Sequence, residues 1–117
     1  MKRSLIAIAL VALVALTFVV PATARDAGDR RGSTVHRVTM RSGATNRFRP
    51  ATITIDHGDR IKWTNTAGVT HTTTSNDADW DARVAPGDSF TRRFRRAGTF
   101  RYHCSIHPEM TGTIIVQ

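Results

Sequence analysis

The sequence predicts an all-β domain of the antiparallel sandwich type. From Thr34 onward, apolar and polar residues alternate in short runs, and Gly, Pro, Asp and Asn residues separate these runs. No stretch carries apolar residues at the three- and four-residue spacing of an amphipathic helix, and no internal repeat is present. Short strands at regular spacing with turn residues between them are typical of β-sandwiches.

The alternation predicts strands in six places. In chain order they are VHRVTM at 35–40, ATITI at 51–55, IKWTN at 61–65, the run up to Phe94 that follows the turn at Pro86-Gly87, FRYHC at 100–104 and GTIIV at 112–116. Within FRYHC, the alternation places Phe100, Tyr102 and Cys104 on the core side of the strand. The thiol of Cys104 is therefore expected at a strand end, shielded from solvent.

The first 24 residues are predicted to be a secretory signal peptide. Two basic residues precede the uncharged apolar run Leu5–Val20, and Ala22-Thr23-Ala24 offers a signal-peptidase site. The alternative is an uncleaved anchor, but the run is shorter than the ~20 apolar residues that span a bilayer. We read residues 25–33 as a flexible leader and residues 34–117 as one domain, exported to the periplasm or the extracellular space.

An excess of basic residues remains in the mature chain. Two of the 17 Lys and Arg residues lie in the predicted signal, so 15 basic residues face nine acidic ones. Such an excess fits an ordinary charged surface, and it also fits electrostatic steering toward an acidic partner or an anionic surface. Composition alone does not choose between these interpretations.

The chain has a single cysteine, Cys104, so no disulfide can form within it. His107 follows three residues later, and Met110 three residues after that. A thiolate, an imidazole and a thioether form a soft ligand set that suits copper, and a metal would protect the thiol in an oxidising compartment. The sequence therefore predicts a copper site in this loop.

A closed site needs a fourth ligand from elsewhere in the chain. His71 is the best placed candidate and is expected to come from a neighbouring loop at the same end of the sandwich, because GVTHTTTSN follows a predicted strand and a glycine-containing turn. The remaining histidines are expected at the surface or in ordinary hydrogen bonds: His36, His57 and His103.

Three stretches resemble the cupredoxin family, in its plastocyanin and amicyanin branch. They are FRPATITIDHGDRIKWTN, GVTH and PGDSFTRRFRRAGTFRYHCSIHPEM, and the resemblance runs from about Thr34 to Gln117. It implies a Greek-key sandwich that binds one copper ion as Cu(I) or Cu(II). The implied ligands are the imidazoles of His71 and His107, the thiolate of Cys104 and the weak axial thioether of Met110. The C-x-x-H-x-x-M spacing is similar to the short loop of amicyanins.

Three further residues are expected to support these ligands. Thr72 stands where the family usually has Asn, and its hydroxyl and backbone N–H are expected to replace part of what that Asn does, including a hydrogen bond to the cysteine sulfur. Asn65 belongs to the Trp-x-Asn framework of the family, and Pro108 lies beside His107.

The resemblance implies a one-electron carrier between redox proteins outside the cytoplasm. Four protein ligands leave no open position for a substrate, so no enzyme activity is expected. We expect a monomer with no nucleic-acid partner and no membrane insertion after signal cleavage, whose redox partners present an acidic docking surface.

Two other functions stay open at this point. One is copper binding and delivery, if Thr72 loosens the site. The other is a basic binding module for anionic polymers, for which the sequence offers one cluster: Arg92, Arg93, Arg95, Arg96 and Arg101.

Overall fold

The computed structural model describes residues 32–117. The predicted signal segment 1–24 lies outside the described residues, as does most of the predicted leader 25–33. The described part forms nine strands: β1 Val35–Arg41, β2 Arg47–Arg49, β3 Thr52–Ile55, β4 Arg60–Asn65, β5 His71–Ser75, β6 Asp81–Val84, β7 Ser89–Arg93, β8 Gly98–His103 and β9 Thr111–Val116. Within residues 32–117, no helix is long and apolar enough to cross a membrane.

The strands form two sheets. One has four strands in the order β2-β1-β4-β7, and the other has five in the order β3-β9-β8-β5-β6. The chain crosses repeatedly between the sheets, so the predicted all-β Greek-key sandwich is confirmed.

Two pairs of neighbouring strands are parallel, which the prediction of an antiparallel sandwich did not include. β1 pairs with β4 and β3 pairs with β9 in parallel, and every other pair is antiparallel. Side chains alternate with the same period in both kinds of strand, so the pattern cannot show strand direction.

The sequence pattern missed three strands, β2, β5 and β6. β2 has only three residues, and β6 has only four. β5 reads HTTTS, and four of its five residues are buried although all five are polar. The expectation that His71 comes from a loop was therefore wrong, because His71 is the first residue of a central strand.

An aromatic cluster around Trp63 fills the space between the sheets. The Trp63 ring lies 5.6 Å from the Tyr102 ring and 5.8 Å from those of Trp80 and Phe90, measured between centroids. Trp80, which carried no clear signal in the sequence, is 6% exposed, and its Nε1–H donates to the hydroxyl of Thr73 over 3.0 Å. Each buried aromatic side chain stabilises the fold by about 1.5–3 kcal/mol relative to an exposed one.

Gly112 lets β9 pass directly under the Tyr102 ring. The two residues face each other in the β8–β9 register, and a Cβ atom on Gly112 would lie 2.5 Å from Cε1 of Tyr102 and closer still to Cζ. Any side chain at this position would push the ring out of the core. This close approach fixes the end of β8, from which Cys104 emerges.

Candidate metal centre

His71 opens β5 and is fully buried. Its Nε2 atom lies 3.2 Å from the hydroxyl of Ser42, which follows β1. Its Nδ1 atom faces the other way, 3.2 Å from Nδ1 of His107. Burial, and next the charge of His107, lower the pKa of His71, so the neutral imidazole that binds metals is favoured.

Cys104 follows the last residue of β8 and is fully buried. Its Sγ atom lies 3.8 Å from Nδ1 of His71 and 3.7 Å from Nδ1 of His107. The backbone N–H of Thr72 donates to the same sulfur over 3.2 Å. This hydrogen bond fixes the sulfur relative to β5, and hydrogen bonds to a cysteine sulfur tune the metal that it binds.

Two backbone hydrogen bonds fold the loop 104–110 back on itself. The N–H of Met110 donates to the carbonyl of His107 over 2.9 Å, and the N–H of Cys104 donates to the carbonyl of Met110 over 2.9 Å. Pro108 occupies the second position of this tight turn, where its fixed φ is favourable. Met110 is thereby buried beside Cys104, at 1% exposure.

The three nitrogen and sulfur donors of His71, Cys104 and His107 lie within 4.8 Å of one another. One thiolate and two imidazoles, with a thioether on the same loop, are soft donors that fit copper. His71 and Cys104 are buried, whereas His107 is half-buried. The arrangement therefore offers a shielded site with one ligand near the surface.

The other described histidines make hydrogen bonds elsewhere. His36 Nε2 lies 2.8 Å from Asp59 Oδ2, His57 Nδ1 lies 3.1 Å from the carbonyl of Gln117, and His103 Nδ1 lies 2.6 Å from Asn76 Oδ1. None of them belongs to the group of donors around Cys104.

Thr72 joins the two segments that carry the donors. Its hydroxyl oxygen accepts the backbone N–H of Ser105 over 2.7 Å and lies 3.1 Å from the Ser105 hydroxyl. The hydroxyl of Thr74 lies 2.9 Å away on the other side. Together with its N–H bond to the sulfur of Cys104, Thr72 links β5 to the loop 104–110 in three places.

Asn65 holds the turn that leads into His71. It is fully buried, and its side-chain amide donates to the carbonyls of Val69 and Val84 over 2.8 and 2.9 Å. Its side-chain oxygen accepts the N–H of Ala67 over 2.9 Å. The bonds to Ala67 and Val69 fix the connection between β4 and β5. The bond to Val84 ties Asn65 to the residue of β6 that lies opposite His71, so the three bonds together position the His71 backbone.

Ser42 contacts His71, and nothing in the sequence indicated this contact. It lies 29 positions from His71 in the chain, and it carries no motif. The structure places it there because β1 ends beside the end of β4, and β4 continues through residues 66–70 into β5.

The chain is similar to a known domain family and to several curated proteins. A model of the cupredoxin-like domain matches residues 8–116. Plastocyanin from Tetradesmus obliquus is 38% identical over 84 residues, which cover 60% of this chain and 58% of that protein. Plastocyanin from Scenedesmus fuscus is 33% identical over 97 residues, which cover 68% of this chain and 99% of that protein. The chain therefore spans less than two thirds of the Tetradesmus relative.

Solved structures show the same fold. A purple cupredoxin from Nitrosopumilus maritimus superposes with a TM-score of 0.62 at 24% identity, covering 69% of this chain and 98% of that chain. A reduced amicyanin variant gives a TM-score of 0.62 at 22% identity, covering 74% and 83%.

The cofactor follows from the family and the donors together. The sequence predicted one copper ion, and both the family match and the soft donor set around Cys104 confirm that prediction. Because the family model covers nearly the whole sequence, the chain belongs to the cupredoxin-like domain family, as a small blue copper protein similar to plastocyanin and amicyanin.

Proposed function

We propose that the chain is a one-electron carrier with a type 1 copper site formed by His71, Cys104, His107 and Met110. The observation that carries this proposal is the Cys104 sulfur, which lies 3.7–3.8 Å from two imidazole Nδ1 atoms and accepts the backbone N–H of Thr72. Copper in such a site supplies the Cu(I)/Cu(II) couple.

The strands and hydrogen bonds that hold these side chains favour fast electron transfer. His71 belongs to a strand hydrogen-bonded on both sides, and Cys104 follows directly on another. Thr72 and Asn65 tie the connecting segments to the sandwich. Ligands held in this way move little between the two oxidation states, so little reorganisation opposes the transfer.

The chain is not an enzyme, because plastocyanin-like and amicyanin-like cupredoxins carry electrons and do not transform substrates. The arrangement of the site agrees with the family on this point. Four protein donors would surround the ion, so no ligand position remains for a substrate.

We place the docking site for redox partners around the half-buried ring of His107. Three large hydrophobic residues of the described chain are exposed, and two of them flank the donors: Val69, 48% exposed, and Ile106, 42% exposed. Val69 precedes His71 by two residues, and Ile106 directly precedes His107. A small apolar rim of this kind fits a brief contact between two redox proteins. The acidic partner surface expected from the sequence would add steering from the basic residues of the chain.

We further propose that residues 1–24 are a cleaved signal peptide, that residues 25–33 are a leader and that residues 34–117 are the working domain. The protein would then act as an exported monomer in the periplasm or outside the cell. The apolar run and small-residue cleavage site support this location.

The test is the absorption spectrum of the purified chain with added copper. We expect an intense blue band, which arises from the bond between copper and the Cys104 thiolate, and its loss in Cys104→Ser. Ser105→Ala is the matched control, because Ser105 is exposed and supplies no ligand atom to the site. A blue band that persists in Cys104→Ser would refute the proposal.

Copper delivery is the second candidate, since His107 is half-buried and could release the ion at the surface. The three links of Thr72 to the cysteine loop argue against it, because they tighten the site that delivery would need to open. Rapid copper transfer to a chelator with slow electron self-exchange would favour delivery over electron transport.

A further inference from the structure

The outer face of the four-stranded sheet is strongly basic. We define this basic face by the outward-pointing side chains of β1, β2, β4 and β7. They include six cationic side chains, Arg37, Arg41, Arg47, Arg49, Arg60 and Lys62, and Arg93 adds a seventh. The remaining outward residues are Thr, Ser and Val, so no acidic side chain points outward from these strands.

The strand register brings these cations next to one another. Arg41 lies opposite Arg47, Arg37 opposite Lys62, and Arg60 opposite Arg93. Like charges directly opposite each other destabilise a sheet. Within residues 32–117 no carboxylate relieves this repulsion, because the one ion pair of that range joins His36 to Asp59.

The opposite sheet shows that this charge is not spread evenly. Its outward residues are mostly threonines, and its charged ones are Asp81, Arg83 and Arg101. Seven of the twelve Lys and Arg residues between 32 and 117 thus lie on one face. Such a one-sided field attracts an extended anionic surface in one orientation.

We propose that the basic face adsorbs the chain onto the surface of an anionic lipid bilayer. Strands lie about 4.8 Å apart, and outward residues repeat every ~6.6 Å along each strand, so the cations form a flat grid. Each cation held near an anionic membrane adds to the attraction. Val35, 45% exposed, is the one large apolar residue on this face. The face therefore lacks the aromatic anchors that a specific protein interface uses.

The segment that precedes the face carries a small positive charge. Val35 is the first residue of β1 and follows residues 25–33, which carry three cations, Arg25, Arg30 and Arg31, and two carboxylates, Asp26 and Asp29. With a net charge of +1, this segment does not oppose attraction of the basic face to an anionic bilayer.

Adsorption through this face would leave the copper site accessible. The face is the side of the sandwich, whereas Val69, Ile106 and His107 lie in the connections at one end of it. A chain lying on its side would stay beside membrane-bound partners and still present that end to them. This inference concerns a surface other than the site, so it stands whether or not the copper carries electrons.

The experiment compares the full chain with two variants that lose the same charge. The face variant carries Arg37→Gln, Arg47→Gln, Arg49→Gln and Arg60→Gln. The control variant carries Arg83→Gln, Arg95→Gln, Arg96→Gln and Arg101→Gln. None of the eight residues is buried, so both variants are expected to fold. Co-sedimentation is measured with vesicles of phosphatidylcholine alone and with vesicles that contain roughly a quarter phosphatidylglycerol.

The readout is the fraction of protein bound to anionic vesicles divided by the fraction bound to neutral vesicles. Any binding by the apolar run Leu5–Val20 contributes to both fractions. We expect the face variant to lower this ratio at least about tenfold, the control less than about threefold, and added salt to lower it for the unmodified chain. Equal losses in the two variants would overturn the proposal, since net charge would then explain the binding. A ratio near one for the unmodified chain would also overturn it, as would binding of soluble polyglutamate through this face without binding of anionic vesicles.

Discussion

The backbone N–H of Thr72 donates to the sulfur of Cys104 over 3.2 Å, so the strand that carries His71 also holds the thiol. The resemblance to the family implies Asn at this position, and in this chain the backbone and the side chain of Thr72 make separate hydrogen bonds. The backbone reaches the sulfur, and the hydroxyl accepts the N–H of Ser105 over 2.7 Å. The side chain of Thr72 can therefore be replaced while the backbone N–H keeps its hydrogen bond to the Cys104 sulfur.

Thr72→Val tests the hydroxyl alone, because Val has nearly the same shape and keeps the backbone N–H. The hydroxyl takes part in hydrogen bonds with the N–H and hydroxyl of Ser105 and with the hydroxyl of Thr74. We therefore expect the free energy of unfolding of the copper-free chain to fall by about 1–2 kcal/mol, and copper release to a chelator to become faster. Urea unfolding and chelator kinetics measure the two effects. Thr113→Val, on the outer face of β9, is the control. Unchanged release in Thr72→Val would show that the hydroxyl does not tighten the site.

Ser42→Ala tests the hydrogen bond on the far side of His71. Ser42 lies 3.2 Å from Nε2 of His71, and a partner on that nitrogen fixes the ring with Nδ1 facing Cys104. Loss of such a partner commonly costs 10–100-fold in metal affinity, so we expect at least about a tenfold weaker affinity for copper in a competition titration.

Ser89→Ala is the matched control for Ser42→Ala, since its hydroxyl also makes one side-chain bond, to Thr64 over 2.9 Å, but lies in β7. Equal copper affinity in the two variants would mean that the sandwich alone orients His71.

The residues around Cys104 show how far the sequence alone could go. Cys104, His107 and Met110 share one short loop, so their spacing was enough to predict a soft metal site. His71 could be selected only by its place after a turn, and its strand was missed because burial of HTTTS depends on neighbours from distant parts of the chain. Ser42 carried no signal, since its contact depends on the path of β1 across the sheet.

The basic face also could not be predicted from the sequence alone. The sequence shows an excess of Arg and Lys, and its densest cluster is the stretch from Arg92 to Arg101. The structure divides that cluster, because Arg92 lies 5.1 Å over the Trp80 ring and donates to the carbonyl of Asp79. In contrast, the parallel β1–β4 pair places Arg37 opposite Lys62. The sequence cannot show that these two residues are neighbours, because the pairing depends on strand direction.

Gly112→Ala is expected to destabilise the fold strongly. The new Cβ atom would lie 2.5 Å from Cε1 of Tyr102, whose ring is buried against Trp63 and Phe48 and has no space to retreat. We expect a loss of about 3 kcal/mol in the free energy of unfolding, the upper range for an overpacked core. Gly68→Ala is the control, because a Cβ atom added there would meet nothing within 4 Å. Similar urea midpoints for the two variants would contradict the close approach of β9 to Tyr102.

The stability of the copper-free chain should fall in acid partly through Asp59. The side chain of His36 and then the backbone N–H of Thr34 donate to its carboxylate, and these bonds lower the pKa of Asp59 in the folded chain. A lowered folded pKa means that the unfolded chain binds the proton more readily. The contribution of Asp59 is therefore present above its unfolded pKa of about 4 and is lost as the pH falls toward the folded value.

Asp59→Asn should accordingly reduce stability at neutral pH and flatten the dependence of stability on pH below about pH 5, because the group that takes up the proton is gone. Urea midpoints of the copper-free chain across this range measure the slope. Asp56→Asn, at an exposed carboxylate of the same turn, is the control, because the hydrogen bonds from His36 and Thr34 go to Asp59 and not to Asp56. If Asp59→Asn retains the full acid slope, the hydrogen bonds from His36 and Thr34 do not link folding to the ionisation of this carboxylate.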